Sequence, residues 1–307
     1  MPLMAMLRTG ALGLAALAVA GSAVSQSQSQ SQAQSQAQAQ AGQIKADLEL
    51  VLAVDISRSM DYEEHELQRD GYVEAFRHKD VINALMSGPQ GRIAVTYMEW
   101  AGEGATYQVI PWTIIDSSNA AHAFADRLAE EPVRGERRTS ISGALFAAAD
   151  LIERNNIAAF RRAIDVSGDG ANNAGVPVEE AREYVLRRDI TINGLPILLN
   201  EPGGFGNGYD IEHLDRYYKH CVIGGDGAFI APVYDLKHLA ATIRKKLVME
   251  IAGLDIEPDA APVQFAEVQP ASDGPGLTRI QLKLPTEKSD CLAGEKARMR
   301  RDGFNFQ

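Results

Sequence analysis

Between Ala46 and Gly253 the apolar residues switch period again and again, and this alternation leaves few folds open to the chain. "LELVLAVD" is a Leu/Val run ending in Asp55, which reads as a strand buried on both faces. "MDYEEHELQRDGYVEAFRHKDVINALM" follows with helical spacing, and Asp61 and Glu64 are placed as a capping box at its start. "GRIAVTYMEWAG" and "ATYQVIPWTII" are two β-rich runs joined by so short a link that they must pair antiparallel. "SSNAAHAFADRLAE" and "TSISGALFAAADLIE" return to helical spacing, with Ile141, Leu145, Ala148 and Ile152 on one face of the second. "RRAIDVSGDG", "ITINGLPILL" and "GAFIAPV" read as three further strands, and "DLKHLAATIRKKLVMEIAG" as a closing helix stopped by Gly253. The expected architecture is α/β: a doubly wound, mostly parallel sheet with one antiparallel edge strand and helices on both faces. Ligands of such sheets sit at the carboxyl ends of the strands.

The flanks have another texture. Residues 1–25 carry a lone cation at Arg8, an apolar run from Ala11 to Ala20, and small residues at Ala23 and Ser25, as in a secretory signal peptide. That run is short of the roughly 20 residues that span a bilayer, no other segment comes closer, and no cysteine follows it to carry a lipid anchor. Residues 26–44 are almost wholly Gln, Ser and Ala, a composition suited to a spacer. The expected domain is therefore 45–254, and residues 255–307 read as a Pro-rich, acidic linker and a tail. Within the tail, "TRIQLKLP" has the alternation of one half-buried strand. A net charge of -11, with no stripe of cations and aromatics, excludes a nucleic-acid footprint. The expected location is periplasmic or secreted, and in that oxidising setting Cys221 and Cys291 either pair or stay free; the sequence leaves this open.

Three polar clusters fall on the strand edge where ligands are expected. Asp55, Ser57 and Ser59 leave the first strand, Thr139 precedes a helix, and Asp169 leaves the strand "AIDVSGD". Any one of these residues alone is an ordinary cap or turn former. Together they offer two carboxylates and three hydroxyls, the oxygen-only set that a hard cation such as Mg²⁺ accepts. This pattern, D-x-S-x-S followed by the Thr of "TSISGAL" and by a strand ending in Asp-Gly, resembles the metal-ion-dependent adhesion site of von Willebrand factor type A domains, in an exported bacterial branch. The resemblance implies that Ser57, Ser59 and Thr139 touch the metal while Asp55 and Asp169 hold its waters. It also implies a binding protein in place of an enzyme: Mg²⁺, or else Mn²⁺ or Ca²⁺, would receive an Asp or Glu of a protein partner. One departure stands out, since Gly168 replaces the usual Thr before the acid.

The enzymatic alternative is a phosphatase of haloacid-dehalogenase type, which "VLAVDISRS" and "GDGANN" also resemble. Ser57 stands where that chemistry needs a carboxylic acid, and a serine cannot protonate a leaving alkoxide near neutral pH. No G-x-S-x-G elbow surrounds Ser57 or Ser167, the six histidines lack zinc spacing, and "GGFGNGYD" matches no phosphate-binding loop. Asp165, inside a buried strand, requires a partner and reads as a paired structural acid.

Overall fold

The computed structural model describes residues 42–198, 213–253 and 288–303. The expected signal peptide, nearly all of the spacer, "GGFGNGYD" and the tail strand "TRIQLKLP" lie outside the described residues. The described residues from Lys45 onward belong to one compact unit.

Five strands, β1 (Ile44–Asp55), β2 (Ile93–Trp100), β3 (Thr106–Ile115), β4 (Ile157–Gly168) and β5 (Thr191–Pro196), make one sheet in the order β3-β2-β1-β4-β5. β1 runs parallel to β2 from Leu48↔Ile93 to Asp55↔Trp100, and β4 parallel to β5 from Ala163↔Thr191 to Gly168↔Pro196. β2 and β3 are antiparallel, as their short link demands. The order turns at β1 and β4: the chain builds outward from β1 in one direction and then from β4 in the other.

Alternation along β1 splits the core in two. Leu48, Leu50, Leu52 and Val54 face α1 (Tyr62–Arg77), α2 (Lys79–Met86), α3 (Ser118–Glu130) and α7 (Leu239–Ala252). Val51 and Ala53 face α4 (Ile141–Glu153) and α5 (Val178–Leu186). Ile141, Leu145, Ala148 and Ile152 of α4 are all buried there, and full burial of each of the larger side chains contributes roughly 1.5–3 kcal/mol. Among the described residues there are also the short α6 (Leu214–Tyr217), continued by a wider π-type turn over Tyr218–Val222, a 3-10 turn over Leu236–His238, and α8 (Ala293–Arg301).

Three details depart from the sequence reading. The single helix expected from Met60 to Met86 is two, because His78 takes an extended backbone (φ -81°, ψ 138°) and its side chain caps α2 by accepting from the Asp80 amide. "GAFIAPV" makes only isolated bridges beside β5, Gly194↔Ile230 and Ile197↔Val233, where Pro232 has no N–H to extend a ladder. Helix α5 is not among the expected elements; it begins after Pro177 with Glu179 and Glu180 in its first turn, a legible start signal. Elsewhere the local signals act as read: Asp61 and Glu64 form a capping box, and Gly253 ends α7 with φ 62°. The two cysteines, left open by the sequence, are joined as Cys221–Cys291 with Cα atoms 5.5 Å apart.

Candidate functional site

β1 and β4 adjoin at the point where strand order turns, so the loops leaving them flank the crevice in which open α/β sheets bind ligands. Asp55 is the last residue of β1, and its Oδ1 accepts the Ser57 amide N–H at 2.7 Å, turning the chain out of the sheet. The Ser57 and Ser59 hydroxyls are 3.0 Å apart, and Ser59 Oγ donates to Asp169 Oδ1 at 2.6 Å. Four of the five expected residues are therefore joined by hydrogen bonds, the last of them, Ser59 to Asp169, across 110 positions of sequence.

Among the described residues Thr139 has no hydrogen bond to these four, and it is brought beside the loop that follows Asp169 by a different route. Arg58 N–H donates to the Glu136 carbonyl and Glu136 N–H to the Ile56 carbonyl, each at 2.8 Å, which lays the approach to Thr139 along the exit of β1. Arg69, paired in the interior with Glu99, donates to the Glu131 carbonyl at 2.5 Å, and Arg134 reaches Glu99 at 3.4 Å. Arg138, just before Thr139, has φ 70°, a left-handed conformation that costs a non-glycine residue roughly 1–2 kcal/mol. Asn173 then holds Thr139 from the other loop: its Oδ1 accepts the Thr139 N–H at 3.0 Å and its N–H donates to the Thr139 carbonyl at 2.8 Å. Asn172 Oδ1 accepts the Ser142 N–H at 3.0 Å. The two asparagines were not singled out for this role by the sequence; their signal is the adjacent pair in "GDGANN".

The electrostatics of the crevice are unbalanced. Burial pushes the Asp55 carboxyl well above the usual range and the negative Asp169 raises it further, while the Ser57 amide and hydroxyl and the Asp169 amide only partly oppose this. Asp55 Oδ2 is buried and makes no well-formed hydrogen bond. Among the described residues no group of three or more His, Cys, Asp or Glu side chains is set to hold a metal; the five expected residues bring two carboxylates and three hydroxyls. An all-oxygen donor set of this kind suits a hard cation. Helix dipoles contribute unequally. The N-cap Asp61 and the first-turn Glu63 and Glu64 already offset the positive end of α1, whereas α4, which starts two residues after Thr139, has no acid in its first turn.

Gly168, the departure noted in the sequence, has a steric reason. A Cβ there would lie 2.8 Å from Asp55 Oδ2 and 2.9 Å from the Tyr218 hydroxyl, so both oxygens border the space a side chain would occupy. Tyr218 is fully buried with no hydrogen-bond partner for its hydroxyl, and burial followed by the charges of Asp55 and Asp169 keeps it protonated. Gly168→Ala is expected to destabilise the fold by about 1–3 kcal/mol in urea unfolding. Gly170→Ala, whose Cβ would meet Thr139 no closer than 3.6 Å, is expected to cost less. Equal stability of the two variants would contradict this packing.

The sheet order, the single antiparallel edge and the helices on both faces make this a von Willebrand factor type A fold. The chain belongs to the family described as "Protein of unknown function (DUF1194)", whose profile matches residues 45–255. Proximal thread matrix protein 1 from the mussel byssus, in a structure with a zinc-occupied MIDAS motif, superposes with a TM-score of 0.51 at 12% identity, over 68% of this chain and 49% of that one. The pilus adhesin SpaC from Lactobacillus rhamnosus GG superposes with a TM-score of 0.50 at 11% identity, over 67% of this chain and 30% of that one. A von Willebrand factor type A protein from Catenulispora acidiphila gives 0.46 at 16% identity, over 67% and 43%. This chain thus spans half or less of each of these proteins. No curated protein matches the sequence.

Proposed function

We propose that the protein is an exported, non-enzymatic binding domain in which Ser57, Ser59 and Thr139 hold a divalent cation, with Asp55 and Asp169 holding its waters. Mg²⁺ is the first choice for that oxygen set, with Mn²⁺ and Ca²⁺ as alternatives. When bound, the cation supplies a positive centre with a coordination position for the carboxylate of a partner's Asp or Glu. The observation that carries this reading is the meeting of two carboxylates and the serine hydroxyls at the switch point, with Asp55 buried and its Oδ2 unsatisfied. The zinc-occupied motif of the mussel protein supports a divalent cation in this fold. Exposed cations on the same loops, Arg58 between the two serines and Arg137 and Arg138 before Thr139, suit an acidic partner surface.

Export follows from the signal-like residues 1–25, and the boundaries 45–254 for the domain and 255–307 for the tail are kept as part of the proposal. Among the described residues no helix is long and apolar enough to cross a membrane. The phosphatase alternative is disfavoured because the position of its general acid is Ser57, whose hydroxyl lies 3.0 Å from that of Ser59.

The test is a partner captured from periplasmic extract, its affinity then compared in Mg²⁺ and in chelator and between the native chain and Thr139→Val. The valine keeps the shape and removes one oxygen, so binding is expected to weaken about 10-fold and to vanish in chelator for the native chain. Equal affinity under all four conditions would mean that recognition uses another surface.

A further inference from the structure

The two asparagines that hold Thr139 and Ser142 are themselves held by a segment from the far end of the chain. Asn172 Nδ2 donates to Glu295 Oε1 at 2.7 Å, and Arg298 donates to the Asn173 carbonyl at 2.7 Å. Both acceptor and donor lie on α8, and Asn172 and Asn173 are almost fully buried beneath it. Gly294, in the first turn of α8, sits so close to the loop that a Cβ would overlap the Asn172 carbonyl and lie 3.1 Å from Ala171 Cβ. What keeps a nine-residue helix with four cations, Lys296, Arg298, Arg300 and Arg301, against this loop is covalent: Cys291, two residues before α8, is bonded to Cys221. The Tyr217 hydroxyl adds a polar tie, accepting the Asn172 N–H at 3.2 Å and donating to the Cys291 carbonyl at 3.5 Å.

The contacts form one continuous path: the disulfide fixes α8, Glu295 and Arg298 fix the two asparagines, and these fix Thr139, Ser142 and the loop that begins at Asp169. We infer that Glu295 and Arg298 are positioning residues of the site, and that the Cys221–Cys291 bond acts as the clasp that keeps them in place. Glu295 and the Val176 carbonyl, which accepts from the same Nδ2 at 3.0 Å, together orient the Asn172 amide so that its oxygen faces the Ser142 N–H. Arg298 orders the Asn173 carbonyl without using the Asn173 side chain, which is left to Thr139. The inference rests on the cation reading only for its effect on affinity; the geometry of the loop stands apart from it. Outer partners of this kind commonly change metal affinity 10–100-fold by orienting the groups that touch the ion.

The test uses the full chain with its disulfide intact and the double variant Glu295→Ala/Arg298→Ala, which removes both the acceptor of Asn172 Nδ2 and the donor to the Asn173 carbonyl. Mg²⁺ and Mn²⁺ affinity is read by calorimetry, and amide hydrogen exchange is read at Thr139 and Ser142. Expected are a cation affinity about 10-fold weaker, faster exchange at both amides, unchanged exchange along β1, and recovery of most of the affinity when Arg298→Lys replaces Arg298→Ala in a Glu295 background. Reduction with an external dithiol gives the disulfide two electrons and two protons and leaves two thiols, the dithiol itself becoming a disulfide. It is expected to reproduce the effect of the double variant. If the native chain binds no cation, the site reading fails while the exchange measurement still tests the clasp. Unchanged exchange at Thr139 and Ser142, or unchanged affinity in a native chain that does bind the ion, overturns the inference.

Discussion

Asp55→Asn and Asp169→Asn are each expected to lose divalent-cation affinity by about 100-fold or more, roughly 2.7 kcal/mol, and to stay folded. Asparagine keeps the acceptor that Ser57 N–H or Ser59 Oγ–H requires, so the loop geometry survives and only the negative charge is lost. At position 55 the change also removes a carboxyl that burial already disfavours as an anion, so the metal-free variant should unfold no more easily than the native chain. Proton competition gives the sign of the pH effect. Because the Asp55 carboxyl is raised, acidification through its titration protonates it, and cation affinity should fall as pH falls. Calorimetric titration with MgCl₂ and MnCl₂ decides the matter: native affinity in both variants would remove these acids from any metal role.

The second large effect lies under the sheet, away from the crevice. Lys246 is buried with its ammonium 2.6 Å from Asp165 Oδ1 and 2.5 Å from Glu250 Oε1, and Asn193 donates to the same Glu250 oxygen at 2.9 Å. One cation facing two carboxyl groups leaves the cluster short of positive charge. Burial and then Asp165 push the Glu250 carboxyl up to about 7, while Lys246 and Asn193 act in the opposite direction. Lys246→Ala removes the shared partner and is expected to cost about 3–5 kcal/mol in urea unfolding, the usual range for breaking a buried ion pair. A loss under about 1 kcal/mol would mean that the two acids are stable without it. The linkage has a definite sign. The folded chain binds a proton at Glu250 that the unfolded chain releases above about 4.5, so this contribution to stability is full below that pH and is lost as pH rises through about 7. Stability should therefore decline across that window, and Glu250→Gln should flatten the decline.

Much of this was legible along the chain because it depends on local chemistry. The Leu/Val run ending at Asp55, the capping box of Asp61 and Glu64, the short link that forces β2 and β3 antiparallel, and the left-handed stop at Gly253 each act within a few residues of their cause. The meeting of Asp55, Ser57 and Ser59 with Asp169 was legible for a different reason: a mostly parallel sheet carries the carboxyl ends of β1 and β4 to one edge whatever lies between them. Local signals competed where the reading slipped: helical spacing continues from Met60 to Met86 and hid the break at His78. What acts across long stretches of sequence was decided by the tertiary structure. Asp165 required a partner, but that its partner is Lys246 follows only from α7 packing beneath β4. Gly168 looked like a mere departure until the fold brought the Tyr218 hydroxyl beside Asp55, filling the space a side chain would need. Cys221 and Cys291 could pair by composition, but a disulfide needs Cα atoms within reach, and only the packed chain sets them 5.5 Å apart and places Glu295 and Arg298 on Asn172 and Asn173.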